Sequence, residues 1–412
     1  MRNLIPKRRF EEFKNSDPWE QRKLGKFGYF YYGKSAPKWS VTKDAKTPCV
    51  RYGELYTKHS EKIDRIYSYT NIPRENLKFS TGNEVLVPRV GEDPLDFANC
   101  AWLSIPDVAI GEMISVYNTE QNPLFTSYMF NSKLKYEFAK RVEGGNVSNL
   151  YYAYLEDILI SFPSLAEQEK IASFFDEISS LITLHQHKLD KLKETKSAYL
   201  SEMFPKEGEV YPKRRFAGFT DPWEQCKVTE LGKIFIGLVT TMTKHYTTEG
   251  ALLIRNSDIK DGRFEFGENP IFLEASFAQE NSSRMHQIGD VITVHTGDVG
   301  TSAVISEKEA NSIGFATIVT RPNPQIIDSN YLCVFLNTDK HKKWAVGVST
   351  GDGRTNYNLG DYYECVVPVP SLEEQKKISE YIKNLNNLIT LHQRKLDKLQ
   401  ALKQAYLSEM FV

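Results

Sequence analysis

A 42-residue segment occurs twice in this chain, and no other feature restricts the fold so tightly. Residues 163–204 and 370–411 agree at 26 of 42 positions with a constant offset of 207. That is far beyond chance, so whatever one copy builds, the other builds too. Both copies begin P-S-L-x-E-Q-x-K-I, pass through L-I-T-L-H-Q-x-K-L-D-K-L and end A-Y-L-S-E-M-F. A second pair opens each half: Pro6-Lys-Arg-Arg-Phe10 with Asp17-Pro-Trp-Glu-Gln21 returns as Pro212-Lys-Arg-Arg-Phe216 with Asp221-Pro-Trp-Glu-Gln225. The chain is two units of about 205 residues, each a variable part followed by a near-constant helix.

The repeated segment reads as a coiled-coil helix. Its seam steps by four and three through Ile171, Phe175, Ile178, Ile182, His185, Leu189, Leu192, Lys196, Tyr199 and Met203. The second copy runs Ile378, Ile382, Leu385, Ile389, His392, Leu396, Leu399, Lys403, Tyr406 and Met410. A heptad seam kept over several turns predicts a long helix packed on a like partner. Ser164 and Ser371 are expected N-caps, with Glu167 and Glu374 three residues on completing a capping box. About 40 residues at 1.5 Å each give a rod of roughly 60 Å. His185 and His392 fall in equivalent seam slots, where a polar residue fixes register more readily than it binds metal. Two such helices pack most simply antiparallel, with the variable parts held at opposite ends.

Between these anchors the halves diverge, yet a common skeleton persists. Val50-Arg51 matches Ile254-Arg255, Glu84-Val-Leu-Val87 matches Asp290-Val-Ile-Thr293, and Ser148-Asn149 matches Thr355-Asn356. The apolar runs are short, β-branched and bounded by Gly, Asn and Asp, so they read as strands joined by turns. The expected fold class is α+β: two tandem mixed α/β domains over 1–160 and 206–369. They are separated by a central helix over 161–205 and a C-terminal helix over 370–412, with internal pseudo-twofold symmetry.

A search for a reaction centre finds none. Gly28-Tyr-Phe-Tyr-Tyr-Gly33-Lys34-Ser35 fits the phosphate-loop pattern letter for letter. However, bulky aromatics fill it, Pro37 and Trp39 follow, and the repeat around Gly237 lacks Gly-Lys-Ser. There is no H-E-x-x-H, G-x-S-x-G or G-x-G-x-x-G, and Asn122-Pro-Leu-Phe125 falls short of an amino-methyltransferase N-P-P-[YF] run. No metal-ligand spacing occurs among the eight histidines. The five cysteines are scattered and never form C-x-x-C, as expected of reduced thiols in the cytoplasm. No apolar run reaches the roughly 18 residues of a membrane helix. With 52 Lys+Arg against 53 Asp+Glu, no general cationic surface announces a nucleic-acid partner either.

Taken together, the paired openings, the paired P-S-L-x-E-Q-x-K-I motifs and the repeated helices resemble the specificity subunit of type I restriction-modification systems. The resemblance spans essentially the whole chain. It implies a non-catalytic DNA-recognition subunit with two target-recognition domains, each reading one half of a split site on double-stranded DNA. The helices would set the spacer and dock two methyltransferase subunits, and restriction/translocase subunits can join. S-adenosylmethionine, ATP and Mg would belong to those partners, with no cofactor and no catalytic residue in this chain, and no membrane association.

Base readout needs cationic, amide or hydroxyl side chains at groove-facing tips. In the first domain these are Lys34, Lys38, Trp39, Arg51, Tyr52, Lys58, His59 and Arg89. In the second they are Thr240, Thr241, Lys244, His245, Tyr246, Arg255, Asn256, His295, Thr296, Arg354 and Asn356. Pro6-Lys-Arg-Arg9 and its copy read as solvated turns facing phosphate or a partner. A two-domain coiled-coil scaffold that binds proteins, without DNA readout, stays open at this point.

Overall fold

The computed structural model describes residues 4–206, 208–349 and 355–412. The chain divides into two compact units, Met1–Gln186 with Arg394–Val412, and His187–Gln393. The repeated segments form helices Leu165–Glu202 and Leu372–Met410, and each unit takes part of both.

In the first unit, a five-stranded sheet is ordered Gly28–Tyr32, Ile114–Thr119, Glu84–Pro88, Ala101–Leu103, Lys62–Ile63. Beside it lies a three-stranded sheet in which Thr47–Val50 runs parallel to Ala109–Ile110. The second unit repeats the plan. Gly232–Ile236, Ile318–Pro322, Val291–Thr293 and Ser302–Val304 form its main sheet, and Ala251–Arg255 runs parallel to Ile313–Phe315 in the other. Glu84-Val-Leu-Val87 and Asp290-Val-Ile-Thr293, the matched runs of the sequence, thus lie on equivalent inner strands. Both acids are buried at the strand start. Glu84 accepts the backbone N–H groups of Thr81, Gly82 and Asn83, while Asp290 pairs with Arg321.

Each unit joins its sheet to the helices in the same way. Glu20–Lys23 pairs antiparallel with Leu159–Phe162, and Glu224–Lys227 with Val366–Val369, so the W-E-Q strand lies on the strand that leads into the long helix. Trp19 and Trp223, one residue earlier, are each 2% exposed. In the first unit the start of one long helix meets the end of the other: Phe174 lies 5.1 Å from Tyr406 and Phe175 5.9 Å from Phe411, ring to ring. The second unit repeats this with the helices exchanged, Tyr199 lying 5.1 Å from Tyr381. Along the seam, Ile178, Leu189, Leu385 and Leu396 are buried, and Ile182, His185, Leu192, Ile389, His392 and Leu399 half-buried. The seam lysines leave the helix pair. Lys196 reaches Asp261 and Lys403 reaches Glu61, each at 2.7–2.8 Å within its own unit.

The last arginine of each P-K-R-R motif is not solvated, although the lysine and arginine before it are exposed. Arg9 forms a bidentate pair with Glu167, both bonds 2.7 Å, with side chains 5% and 0% exposed. It also donates to the carbonyls of Ser16 and Asp17. Arg215 holds Glu374 identically at 2.8 Å. The expected capping boxes are therefore half-formed. Ser164 and Ser371 accept the Glu N–H at 3.4 Å, but the carboxylates turn away from the cap to the arginines. A bidentate charged pair is stronger than one carboxylate–amide bond, and it still leaves negative charge at the helix N-terminus. The adjacent arginines grip the other helix end: Arg8 pairs with Glu409 and lies over Tyr406, Arg214 pairs with Glu202 and lies over Tyr199. Gln168 and Gln375, buried next to the glutamates, donate to the carbonyls of Pro163 and Pro370.

Removing one partner of such a buried pair strands the other charge, at a cost of about 3–5 kcal/mol. Glu167→Ala is expected to lower the unfolding free energy measured in urea by that amount, seen as a lower midpoint. The double variant Arg9→Met with Glu167→Leu should lose far less, since apolar replacement leaves no buried charge behind. Equal losses from the single and double variants would count against a buried, mutually compensating pair.

Candidate nucleic-acid interface

In the first unit, residues 110–113 gather chain segments from three directions. Lys34 N–H donates to the Ile110 carbonyl (2.9 Å), Gly111 N–H to Val50 (2.9 Å), Glu112 N–H to Ser35 (3.0 Å) and Arg89 N–H to Met113 (3.0 Å). Met113 takes a left-handed conformation, φ +64°, to make the turn. Lys34, Arg51 and Arg89 are thereby brought to one rim. The Tyr56 hydroxyl donates to the Val90 carbonyl, tying the short helix Tyr52–Thr57 to the strand segment after Arg89.

In the second unit the equivalent turn is 314–317, with Ala316 at φ +49°. Leu238 N–H donates to the Gly314 carbonyl, and the Asn256 amide donates to the carbonyls of Phe315 and Ala316. Asn256 Oδ1 accepts His295 N–H at 2.8 Å, His295 Nδ1 lies 2.8 Å from Thr296 Oγ1, and the Thr296 hydroxyl donates to Asn356. Asn256, His295, Thr296 and Asn356 thus form one hydrogen-bonded chain.

This geometry explains the phosphate-loop decoy. Gly28 and Gly33 bracket a strand, not a phosphate cradle. A Cβ on Gly33 would stand 2.1 Å from the Gly111 carbonyl, and one on Gly237 2.2 Å from that of Gly314. The glycines recur as Gly232 and Gly237 because the backbones touch there, whereas Lys34 and Ser35 join that contact through their backbone alone, so their side chains need not recur. Only a three-residue turn, Lys38–Ser40, follows.

The other predicted residues are placed as follows. Lys38 and Trp39 are exposed in that turn, Trp39 at 73%. Tyr52 opens the short helix that Arg51 precedes, and Lys58 and His59 lie beyond its far end. His59 is half-buried against Tyr67, and burial lowers its pKa. Thr240, Thr241 and Lys244 are exposed in the segment after Gly237, and Tyr246 stands at its end. His245 in that segment stacks on Phe277 at 4.1 Å and contacts Glu274. Arg255 is held by Asp258 through two bonds of 2.8 and 3.0 Å. Arg354 lies outside the described residues. Among the described residues, the first rim therefore carries cations without carboxylate partners, and the second is mainly neutral and polar, since burial also lowers the pKa of His295.

Sequence reasoning passed over Tyr32 and Tyr151, which face the Arg89 guanidinium at 4.8 and 5.7 Å. Their signal was the tyrosine run 151–154 just after the matched Ser148-Asn149. The remaining chemistry is inert. Cys49, Cys333 and Cys365 are pushed up to about 12 by burial, so their thiols stay protonated. Among the described residues no His/Cys/Asp/Glu group is placed to hold a metal, and no helix is long and apolar enough to cross a membrane.

Comparison with known proteins places this architecture. The sequence profile of the type I restriction modification DNA specificity domain matches twice, over residues 16–194 and 220–401. The chain is 22% identical over 295 residues to the type I restriction enzyme MjaVIII specificity subunit of Methanocaldococcus jannaschii, covering 67% of each protein. It is 22% identical over 310 residues to the EcoBI specificity subunit of Escherichia coli, covering 70% of this chain and 65% of that relative. Of solved structures, the type I S subunit from M. genitalium is similar over 99% of both chains, with a TM-score of 0.60 at 16% identity.

The second rim rests on a buried histidine. Tyr357 N–H donates to the His295 carbonyl (2.8 Å), and the Tyr357 hydroxyl donates to His341 Nε2 (3.3 Å), while His341 Nδ1–H donates to Leu336 (2.6 Å). Burial pushes His341 down to about 4, and also His286, whose Nδ1 meets Ser312. In the unfolded chain these rings protonate near 6.5. Their contribution is fully present above that pH and is lost as the pH falls towards 4, by up to about 3 kcal/mol each. Urea unfolding at stepped pH, with hydrogen exchange corrected for intrinsic rates, should show the second unit losing protection first between pH 6.5 and 4. His341→Gln should flatten that pH slope.

Proposed function

The chain belongs to the type I restriction modification DNA specificity family as a non-catalytic specificity subunit, and from that premise we propose that each unit reads one half of a split double-stranded DNA site. The observation that carries this reading is the pair of equivalent rims. The turns 110–113 and 314–317 present the same backbone framework with different side chains. Two readers of one build with unlike tips are what an asymmetric bipartite site requires, and base edges are distinguished by such donor and acceptor differences. The candidate contacts are those gathered at each rim, Lys34, Arg51 and Arg89 in the first and Asn256, His295, Thr296 and Asn356 in the second. The exposed Lys38, Trp39, Thr240, Thr241, Lys244 and Tyr246 flank them.

The long helices set the spacer and dock two methyltransferase subunits. Leu181 and Leu184 on the first helix, and Leu388 and Leu391 on the second, are 44–47% exposed at the same place in the repeat. Paired apolar residues on a helix surface suit a helical partner. Adenine methylation with S-adenosylmethionine takes place in those partners, and restriction subunits using ATP and Mg join the same complex, in the cytoplasm.

Co-expression with the cognate methyltransferase subunit and genome-wide mapping of N6-methyladenine tests this reading. The expected result is a split motif of which one half alone changes when residues 25–160 are exchanged for those of another specificity subunit. Random or absent methylation would overturn it. Because the chain carries no general basic excess, the isolated subunit is expected to bind DNA weakly and with a shallow salt slope, tightening once methyltransferase subunits are added. Fluorescence anisotropy across a salt series reads both.

A further inference from the structure

We propose that Arg89 is the side chain with which the first unit demands a G·C pair in its half of the DNA site. The proposal rests on the DNA-reading function above and names one determinant within it. Arg89 follows directly on the strand Glu84–Pro88, and both its backbone groups are fixed, N–H to Met113 and carbonyl from Leu150 N–H. Its guanidinium carbon lies 4.8 Å from the ring centre of Tyr32 and 5.7 Å from that of Tyr151. Its Nε is buried without a hydrogen-bond partner. Arg9, Arg22, Arg74 and Arg141 of the same unit each meet a carboxylate, whereas Arg89 meets none among the described residues. Arg51, on the same rim, has no comparable aromatic clamp there.

A fixed, unneutralised guanidinium is costly for a fold that gains nothing from it, because a buried donor left unpaired is destabilising. The same arrangement suits a ligand. Contact with two aromatic rings, together with the fixed backbone, restricts the side chain before binding, so less conformational freedom is lost when the fork engages. In the major groove, the acceptor pair that matches an arginine fork is O6 and N7 of guanine. The second unit has His295 at the matching position, half-buried and bonded to Thr296, so the two halves differ in their demand at this point.

The test uses the full chain with its methyltransferase subunit and reads methylated motifs from wild type, Arg89→Ala, Arg89→Lys and Tyr151→Leu. Arg89→Ala is expected to make one G·C position in one half degenerate, with discrimination falling on the order of ten- to a hundredfold. The other half should stay unchanged, which also shows that the variant folds. Arg89→Lys keeps the charge and loses the fork, and is expected to relax the same position. Tyr151→Leu should relax it partially. An unchanged motif, or degeneracy at an A·T position, overturns the proposal. If Arg89→Ala abolishes methylation, Arg89→Lys decides by the same criteria. A wild-type chain that directs no split motif would instead defeat the DNA-reading function itself, and the two failures are thereby distinct.

Discussion

Two buried ion pairs, Arg9 with Glu167 and Arg215 with Glu374, hold the architecture together. Each arginine comes from the opening motif of its unit, and each glutamate from the first turn of a long helix. The pair closes a loop of some 160 residues and fixes where the sheet domain ends and the helix begins. Arg9 also gathers the carbonyls of Ser16 and Asp17, so the segment before Trp19 is held in the same knot. Burying these charges is tolerable because each carboxylate accepts two guanidinium bonds, and the negative end sits where the helix dipole favours it. The motifs that repeat most faithfully are therefore the joints of each unit, and the rims proposed to read DNA are built from what lies between them.

The joints were legible in the sequence as repeats, and the long helices as a heptad seam. What each joint residue does was less legible. P-K-R-R read as an exposed basic turn because three charged letters carry no mark of burial. The buried partners of Arg9 and Arg215 stand 158 and 159 residues away. Glu167 read as a capping residue because the local pattern is complete, and nothing local announces that Arg9 will outcompete the N-cap. Lys196 and Lys403 fit the seam by spacing but serve the sheet domains, since a lysine stem packs along the helix while its ammonium reaches a carboxylate.

The rims divide in the same way. The matched runs Val50-Arg51 with Ile254-Arg255 and Glu84-Val-Leu-Val87 with Asp290-Val-Ile-Thr293 lead into equivalent loops, because a strand that ends in a polar tip looks alike in both halves. The side chains at those loops have different fates. Arg255 is consumed by Asp258 three residues on, whereas Arg51 has Glu54 at the same spacing but gives it only a backbone N–H. The aromatic contacts of Arg89 were hidden because Tyr32 belongs to a strand whose letters only mimic a phosphate loop, and Tyr151 lies 62 residues away in the chain.

The neutral charge balance follows from this economy of partners. Arg8, Arg9, Arg22, Arg74 and Arg141 of the first unit end on carboxylates, so counting them as a nucleic-acid footprint overstates the charge available to a ligand. What remains at the rim is a small number of cations whose positions are set by backbone hydrogen bonds and, for Arg89, by aromatic rings. Diffuse charge attracts any duplex alike, whereas a few fixed donors distinguish one base edge from another. A chain with no basic excess and rigid tips is thus poorly suited to gripping DNA unaided and well suited to choosing among sites once partners supply the grip.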